Sequence, residues 1–144
     1  MNTQHKIAAC LWFEKDAAEA ARFYVAIFPD AYIVHQATST VDWPGGKAGD
    51  VIVVDFVLAG QRYQALNGGA NENATFNESV SLSVTCEDQA EVDRYWDALI
   101  ADGGEPIMSN SRWCKASVPA AQQSSITMTL KLSSARLRTV EETH

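Results

Sequence analysis

One segment of this chain occurs twice. The first copy runs Ile7-Ala-Ala-Cys-Leu-Trp-Phe13, passes Glu14-Lys15-Asp16 and enters an apolar-periodic run from Ala17 to Phe28. The second runs Ser79-Val-Ser-Leu-Ser-Val-Thr-Cys86, passes Glu87-Asp88 and enters a similar run from Gln89 to Ile100. The spacing that carries Asp16 onto Asp88 also carries Glu19 onto Glu91, so each copy reads Asp-x-x-Glu ahead of its run. An aspartate there accepts from the free N–H groups of a first helical turn, and the glutamate folds back toward it as a capping box. Both carboxylates suit the positive end of a helix dipole. A repeated strand–helix unit restricts the chain to folds made of two related halves.

Both runs have helical period. Ala20, Phe23, Tyr24, Ile27 and Phe28 make one stripe, and Val92, Tyr95, Trp96, Leu99 and Ile100 the other. Pro29 stops the first helix and Gly103-Gly104 the second. In the strand before the second helix, Val80, Leu82, Val84 and Cys86 share one face and Ser79, Ser81, Ser83 and Thr85 the other. The apolar face carries the helix in this reading, which leaves the hydroxyl face open. In the first copy Ala8, Cys10 and Trp12 share a face, opposite Ile7, Ala9, Leu11 and Phe13. Three further strands follow the first helix: Tyr32 to Thr38, Val51 to Leu58 and Arg62 to Asn67, the last two joined by a turn at Gly60-Gln61. The chain therefore reads as one α+β domain over 1–144. A first βαβββ unit spans 5–69, a linker 70–78, a second unit 79–132 and a tail 133–144.

The formal net charge is −7, which disfavours binding to nucleic acid. No apolar stretch approaches the ~20 residues of a membrane-spanning helix, and Met1 to Lys6 do not resemble a signal peptide. Cys10, Cys86 and Cys114 form no CxxC and leave one thiol over, which fits free thiols in a reducing, cytoplasmic setting.

Several motifs together resemble one family. Cys-Leu-Trp-Phe13, Ala-Ala-Glu-Ala-Ala-Arg-Phe-Tyr24, Ile-Phe-Pro-Asp30, Gly49-Asp50-Val51, Ala65-Leu-Asn-Gly-Gly69 and Asp88 to Trp96 followed by Asp-Gly-Gly-Glu105 are similar to segments of PhnB-like proteins. These belong to the vicinal-oxygen-chelate (glyoxalase/bleomycin-resistance) superfamily and are also labelled 3-demethylubiquinone-9 3-methyltransferase-like. The likeness spans about residues 5 to 115. It implies that each βαβββ unit curls into half of an open barrel, that the halves form a cup around a small-molecule cavity, and that two copies pair as a homodimer.

In metal-dependent members, the resemblance implies, one ligand lies on the first strand of each unit, seven residues before the capping acid. Those positions hold Ala9 and Ser81 here. A third ligand, a glutamate near the end of the fourth strand, has no counterpart in Tyr63-Gln-Ala-Leu-Asn67. Alanine and neutral serine are not transition-metal ligands, and His5, His35 and His144 match no ligand spacing. No metal and no cofactor are expected. No glycine-rich turn follows a strand and opens a helix, as a Rossmann-type nucleotide site requires. The implied cavity is lined by Ala9, Leu11, Phe13, Asn67, Ser81, Ser83 and Thr85, apolar with a few neutral hydrogen-bonding groups. Asp55 reads as a solvent-facing strand residue or a general base, Trp43 and Lys47 as an exposed loop or a lid, and Cys114 as an inert or a reactive thiol.

Three functions stay open: a metal-free protein that sequesters a small, partly aromatic ligand; a cofactor-free or weak enzyme; and a structural dimer with a filled cavity. Past Lys115 the resemblance ends. After Glu105 the only acids are Glu141 and Glu142, against Arg112, Lys115, Lys131, Arg136 and Arg138. Codons able to encode Ile126 to Leu137 can also be read out of frame as a string that resembles the acidic stretch and terminal helix of the family, so a frameshift near Lys115 is expected. The second unit is then irregular or incomplete at its end, with Ser124 to Leu132 standing in for its final strand.

Overall fold

The structure is a computed structural model in which residues 6–70, 82–101, 113–115 and 126–130 are described. The chain divides into two compact units, residues 1–75 and 76–144.

The first unit is βαβββ: β1 (Ala9–Phe13), α1 (Ala17–Ile27), β2 (Tyr32–Thr38), β3 (Val51–Leu58) and β4 (Gln61–Asn67). Its sheet has the order β1-β4-β3-β2, with β1 parallel to β4 and the other pairs antiparallel. β2 and β3 occupy the expected segments. The hairpin turn falls at Ala59-Gly60, one residue before the expected Gly60-Gln61, because Leu58 pairs with Gln61. Both turn residues have positive φ, 48° and 79°. That is the two-residue geometry whose twist matches a hairpin, at a steric cost for Ala59 of about 1 kcal/mol.

In the second unit β5 (Leu82–Cys86) leads into α2 (Gln89–Ile100), followed by β6 (Trp113–Lys115) and β7 (Ile126–Leu130). The sheet order is β5-β7-β6, antiparallel throughout. β7 is the expected stand-in strand. It lies antiparallel beside β5, whereas β1 in the first unit has a parallel neighbour. Among the described residues neither sheet closes into a barrel. Ser79 to Ser81 and the tail 133–144 lie outside the described residues.

The register fixes which face of the first sheet α1 covers. Phe13 pairs with Asn67, Leu11 with Ala65 and Ala65 with Val54; Ala9 pairs with Tyr63 and Tyr63 with Phe56. Paired residues share a face. Phe13, Val54, Phe56 and Ala65 are all buried, as are Ala17, Ala21, Tyr24 and Phe28 of the helix segment. The Phe56 and Tyr63 rings meet at 5.7 Å. Asn67 reaches from the same face to the helix end, accepting from the Ala17 N–H at 2.8 Å. α1 therefore packs on the face of Ala9, Leu11 and Phe13. Each large side chain buried there contributes roughly 1.5–3 kcal/mol.

The two copies cap their helices differently. Asp88 Oδ1 accepts from the Glu91 N–H at 2.8 Å, and Glu91 Oε2 accepts from the Glu87 N–H at 2.6 Å. This is the anticipated box, reaching one residue further back. The Asp16 side chain does not cap α1. Asn67 takes that role for α1 and also donates from Nδ2 to the Val51 carbonyl at 2.9 Å. Truncating Asn67 leaves a buried donor and a carbonyl unpaired. Asn67→Ala is expected to cost about 2–3 kcal/mol, against about 1 kcal/mol for Asp88→Ala, read from urea unfolding midpoints at constant slope.

Candidate functional site

The other face of the first sheet lies opposite α1. Two rows cross it in register. Trp12, Leu66, Val53 and Ala37 form an apolar row, and Cys10, Gln64, Asp55 and His35 a polar one. Arg62 lies on the same face of β4, two residues before Gln64. Asp55 Oδ1 accepts from Gln64 Nε2 at 2.8 Å and from Arg62 Nη2 at 3.5 Å. The Asp55 side chain is 16% exposed and that of Arg62 39%. Arg62 Nε is buried without a hydrogen-bond partner.

Beside this network Cys10 is exposed on β1 and unpaired with any cysteine. Burial of the thiol, and next the negative charge of Asp55, push its pKa above the ordinary value. Cys86 is buried under α2, and its pKa too is raised, first by burial and then by Glu91. Neither thiol is activated by its surroundings. The pair Arg62–Asp55 stays modest in energy because half-exposed ion pairs are screened by solvent.

Two tryptophans frame the end of β4. Trp12 Nε1 donates to the Gly69 carbonyl at 3.2 Å, and Trp43 Nε1 to the Asn67 carbonyl at 3.1 Å. A Cβ on Gly68 would collide with the Trp12 ring, and Gly69, at φ 82°, passes against Pro44 and Gly45. Gly68 thus serves close packing of the Trp12 indole, and Gly69 close approach of the Pro44-Gly45 backbone. The Trp43 loop is tied down by that bond rather than standing free, while Lys47 and Asp42 form an exposed pair at 3.4 Å.

Within the first unit, the expected cavity residues Ala9, Leu11, Phe13 and Asn67 share the α1 face of the sheet. Phe13 and Asn67 are buried on the α1 face, where they pack and cap. Leu11 is half-buried and Ala9 exposed on that same face. In the second unit Ser83 and Thr85 are exposed and Cys86 buried, the alternation expected there; Ser81 lies outside the described residues. The reason for the difference is the link between strand and helix. Glu14-Lys15-Asp16 joins β1 to α1, while Glu87-Asp88 joins β5 to α2. A link one residue longer turns the opposite face of the strand toward the helix. The repeat spacing pairs Phe13 with exposed Thr85, yet the buried strand residues are Phe13 and Cys86.

Asp55, Gln64 and Arg62 were legible from alternation in one respect: polar residues recur on one face of β3 and β4. Counting outward from Ala59-Gly60 sets Asp55 opposite Gln64. A turn placed one residue later sets it opposite Leu66 and hides the cluster. Among the described residues, no three His, Cys, Asp or Glu side chains are grouped to hold a metal ion. Ala9 and the β4 residues Tyr63 to Asn67 supply no carboxylate, imidazole or thiolate, so this donor set does not fit the ion implied by the superfamily.

Because its pKa is raised, the Cys10 thiol is expected to be largely protonated at neutral pH. Its alkylation by iodoacetamide, followed by mass mapping of the Cys10 peptide, should run slower at pH 7.5 than that of an unstructured cysteine peptide. Asp55→Asn should shift the rate profile to lower pH by removing the repelling charge.

Comparison with known proteins agrees with this architecture. Residues 5–118 match the family model described as 3-demethylubiquinone-9 3-methyltransferase. No curated protein matches the chain. Among solved structures, the PhnB protein of Bacillus cereus, described as a candidate 3-demethylubiquinone-9 3-methyltransferase, is 38% identical. The match covers 66% of this chain and 73% of that one, with a TM-score of 0.58. A Staphylococcus aureus protein is 24% identical over 88% of this chain and 97% of its own, with a TM-score of 0.37. No helix among the described residues is long and apolar enough to cross a membrane. With the matched segment spanning both strand–helix copies, the chain belongs to the PhnB-like, 3-demethylubiquinone-9 3-methyltransferase family, with a glyoxalase-like α+β fold.

Proposed function

We propose that this protein binds a small, partly aromatic organic molecule on the face of its first sheet opposite α1, without a transition metal. The observation that carries the reading is the pairing of two rows on that face. An apolar strip headed by Trp12, which is 40% exposed, lies beside the ordered Asp55–Gln64–Arg62 network. Apolar area with a few fixed polar groups is the usual make-up of a small-ligand site. The residues at the superfamily's metal positions support metal-free binding, because Ala9 and Ser81 offer no suitable donor.

The description carried by the Bacillus cereus relative names a methyl transfer. Such a reaction needs a methyl donor as second substrate. The glycine pair nearest this face is already packed against Trp12, Pro44 and Gly45, so binding of one ligand is the reading the geometry supports best.

Titration of isotope-labelled protein with quinoline, indole and benzoate tests this. At least one fragment is expected to shift the Trp12 indole N–H and the Gln64 side-chain amide, with the same dissociation constant in chelator and in added zinc. Shifts confined to other residues, or binding that appears only with zinc, would contradict the proposal.

A further inference from the structure

We infer that the ligand of this face carries an N–H or O–H donor on a planar ring and delivers it to Oδ2 of Asp55, which makes Asp55 the specificity-determining residue. The inference rests on the binding face proposed above and adds the chemistry that face selects.

The carboxylate is held from one side. Both of its hydrogen bonds, from Gln64 Nε2 and Arg62 Nη2, fall on Oδ1. That fixes its rotation and leaves Oδ2 as an acceptor that can offer no proton when ionised. The side chain is mostly withdrawn from water. A ligand that covers Oδ2 without donating to it strips its remaining water and returns nothing.

Position and charge narrow the class. The Trp12–Leu66–Val53 row lies two residues along the strands from the Cys10–Gln64–Asp55 row. That is roughly 7 Å, about the reach of one fused aromatic ring system. A planar ring on the apolar row therefore brings its edge to Asp55. Arg62 balances the charge of Asp55, so an ammonium group on the ligand would meet the guanidinium and a carboxylate group would meet Asp55. Cys10 and His35, the other titratable groups of the row, are both exposed at its ends. A neutral donor suits this setting better than either ion.

The test uses the full chain and three probes: indole, 1-methylindole, which cannot donate, and indole-3-carboxylate. Dissociation constants come from shifts of the Trp12 indole N–H and the Gln64 side-chain amide. Indole is expected to bind about tenfold more tightly than 1-methylindole, and indole-3-carboxylate more weakly than indole. Asp55→Val should bring indole and 1-methylindole to equal affinity, with the dispersion of its backbone amide spectrum reporting that the variant is folded. Should that variant not fold, Asp55→Asn, which keeps shape and a weaker acceptor, should reduce the preference. Equal binding of indole and 1-methylindole, tighter binding of the carboxylate, or a preference that survives both substitutions overturns the inference and leaves the binding face intact. Absence of shifts on this face with all three probes overturns the face itself.

Discussion

The carboxamide of Asn67 holds the first unit together at one point. Its oxygen takes the first N–H of α1, and its nitrogen reaches the Val51 carbonyl where β3 begins. One buried side chain thus ties the helix start and the end of β4 to the start of β3. Its own backbone carbonyl accepts from Trp43, which binds the loop between β2 and β3 to the same spot. A helix end buried without such partners would leave donors unsatisfied. Asn67 supplies what Asp88 supplies from within its own copy.

That difference follows from one residue of linker. In both copies an acid precedes the helix, but β1 stops three residues short of Ala17 and β5 two short of Gln89. Strand side chains alternate, so the extra residue exchanges the faces. α1 then rests on Phe13, Val54, Phe56 and Ala65, while Cys10, Trp12, Asp55 and Gln64 lie on the other face of that sheet. The helices compensate: Ala21, Tyr24 and Phe28 are buried in the first, Val92, Tyr95 and Leu99 in the second. These buried lines lie one residue apart when the copies are laid over each other. A duplicated strand–helix segment has settled into two packings with opposite strand faces.

Periodicity made the elements legible. β2, β3 and α2 stand where alternation, helical period and the Asp-x-x-Glu signal put them, since each rests on local chemistry. The face opposite α1 was less legible. Carrying the metal-position register of the family onto Ala9, Leu11 and Phe13 presumes that strand and helix are joined alike in both copies. No residue of Glu14-Lys15-Asp16 shows in its own chemistry how the chain will bend. Asn67 was expected to line a cavity; its carboxamide bonds backbone instead, at the Ala17 N–H and the Val51 carbonyl. The Asp55 network was hidden by a turn assigned one residue late, since a slip of that size moves each partner across the hairpin by two residues, from Gln64 to Leu66. Composition changes past Lys115, and the family match stops at residue 118. β7 nonetheless pairs with β5 by the alternation that Ile126, Met128 and Leu130 display in the sequence.

The most direct measurement of this account is a set of proton–proton contacts between α1 and the first sheet, from nuclear Overhauser spectra of selectively methyl- and ring-labelled protein. The account predicts that Ala21 and Tyr24 show contacts to the Val54, Ala65 and Phe56 side chains and none to Trp12, Val53 or Leu66. Contacts to Trp12, Val53 and Leu66 in place of the buried row would place the helix on the other face and take the binding surface away.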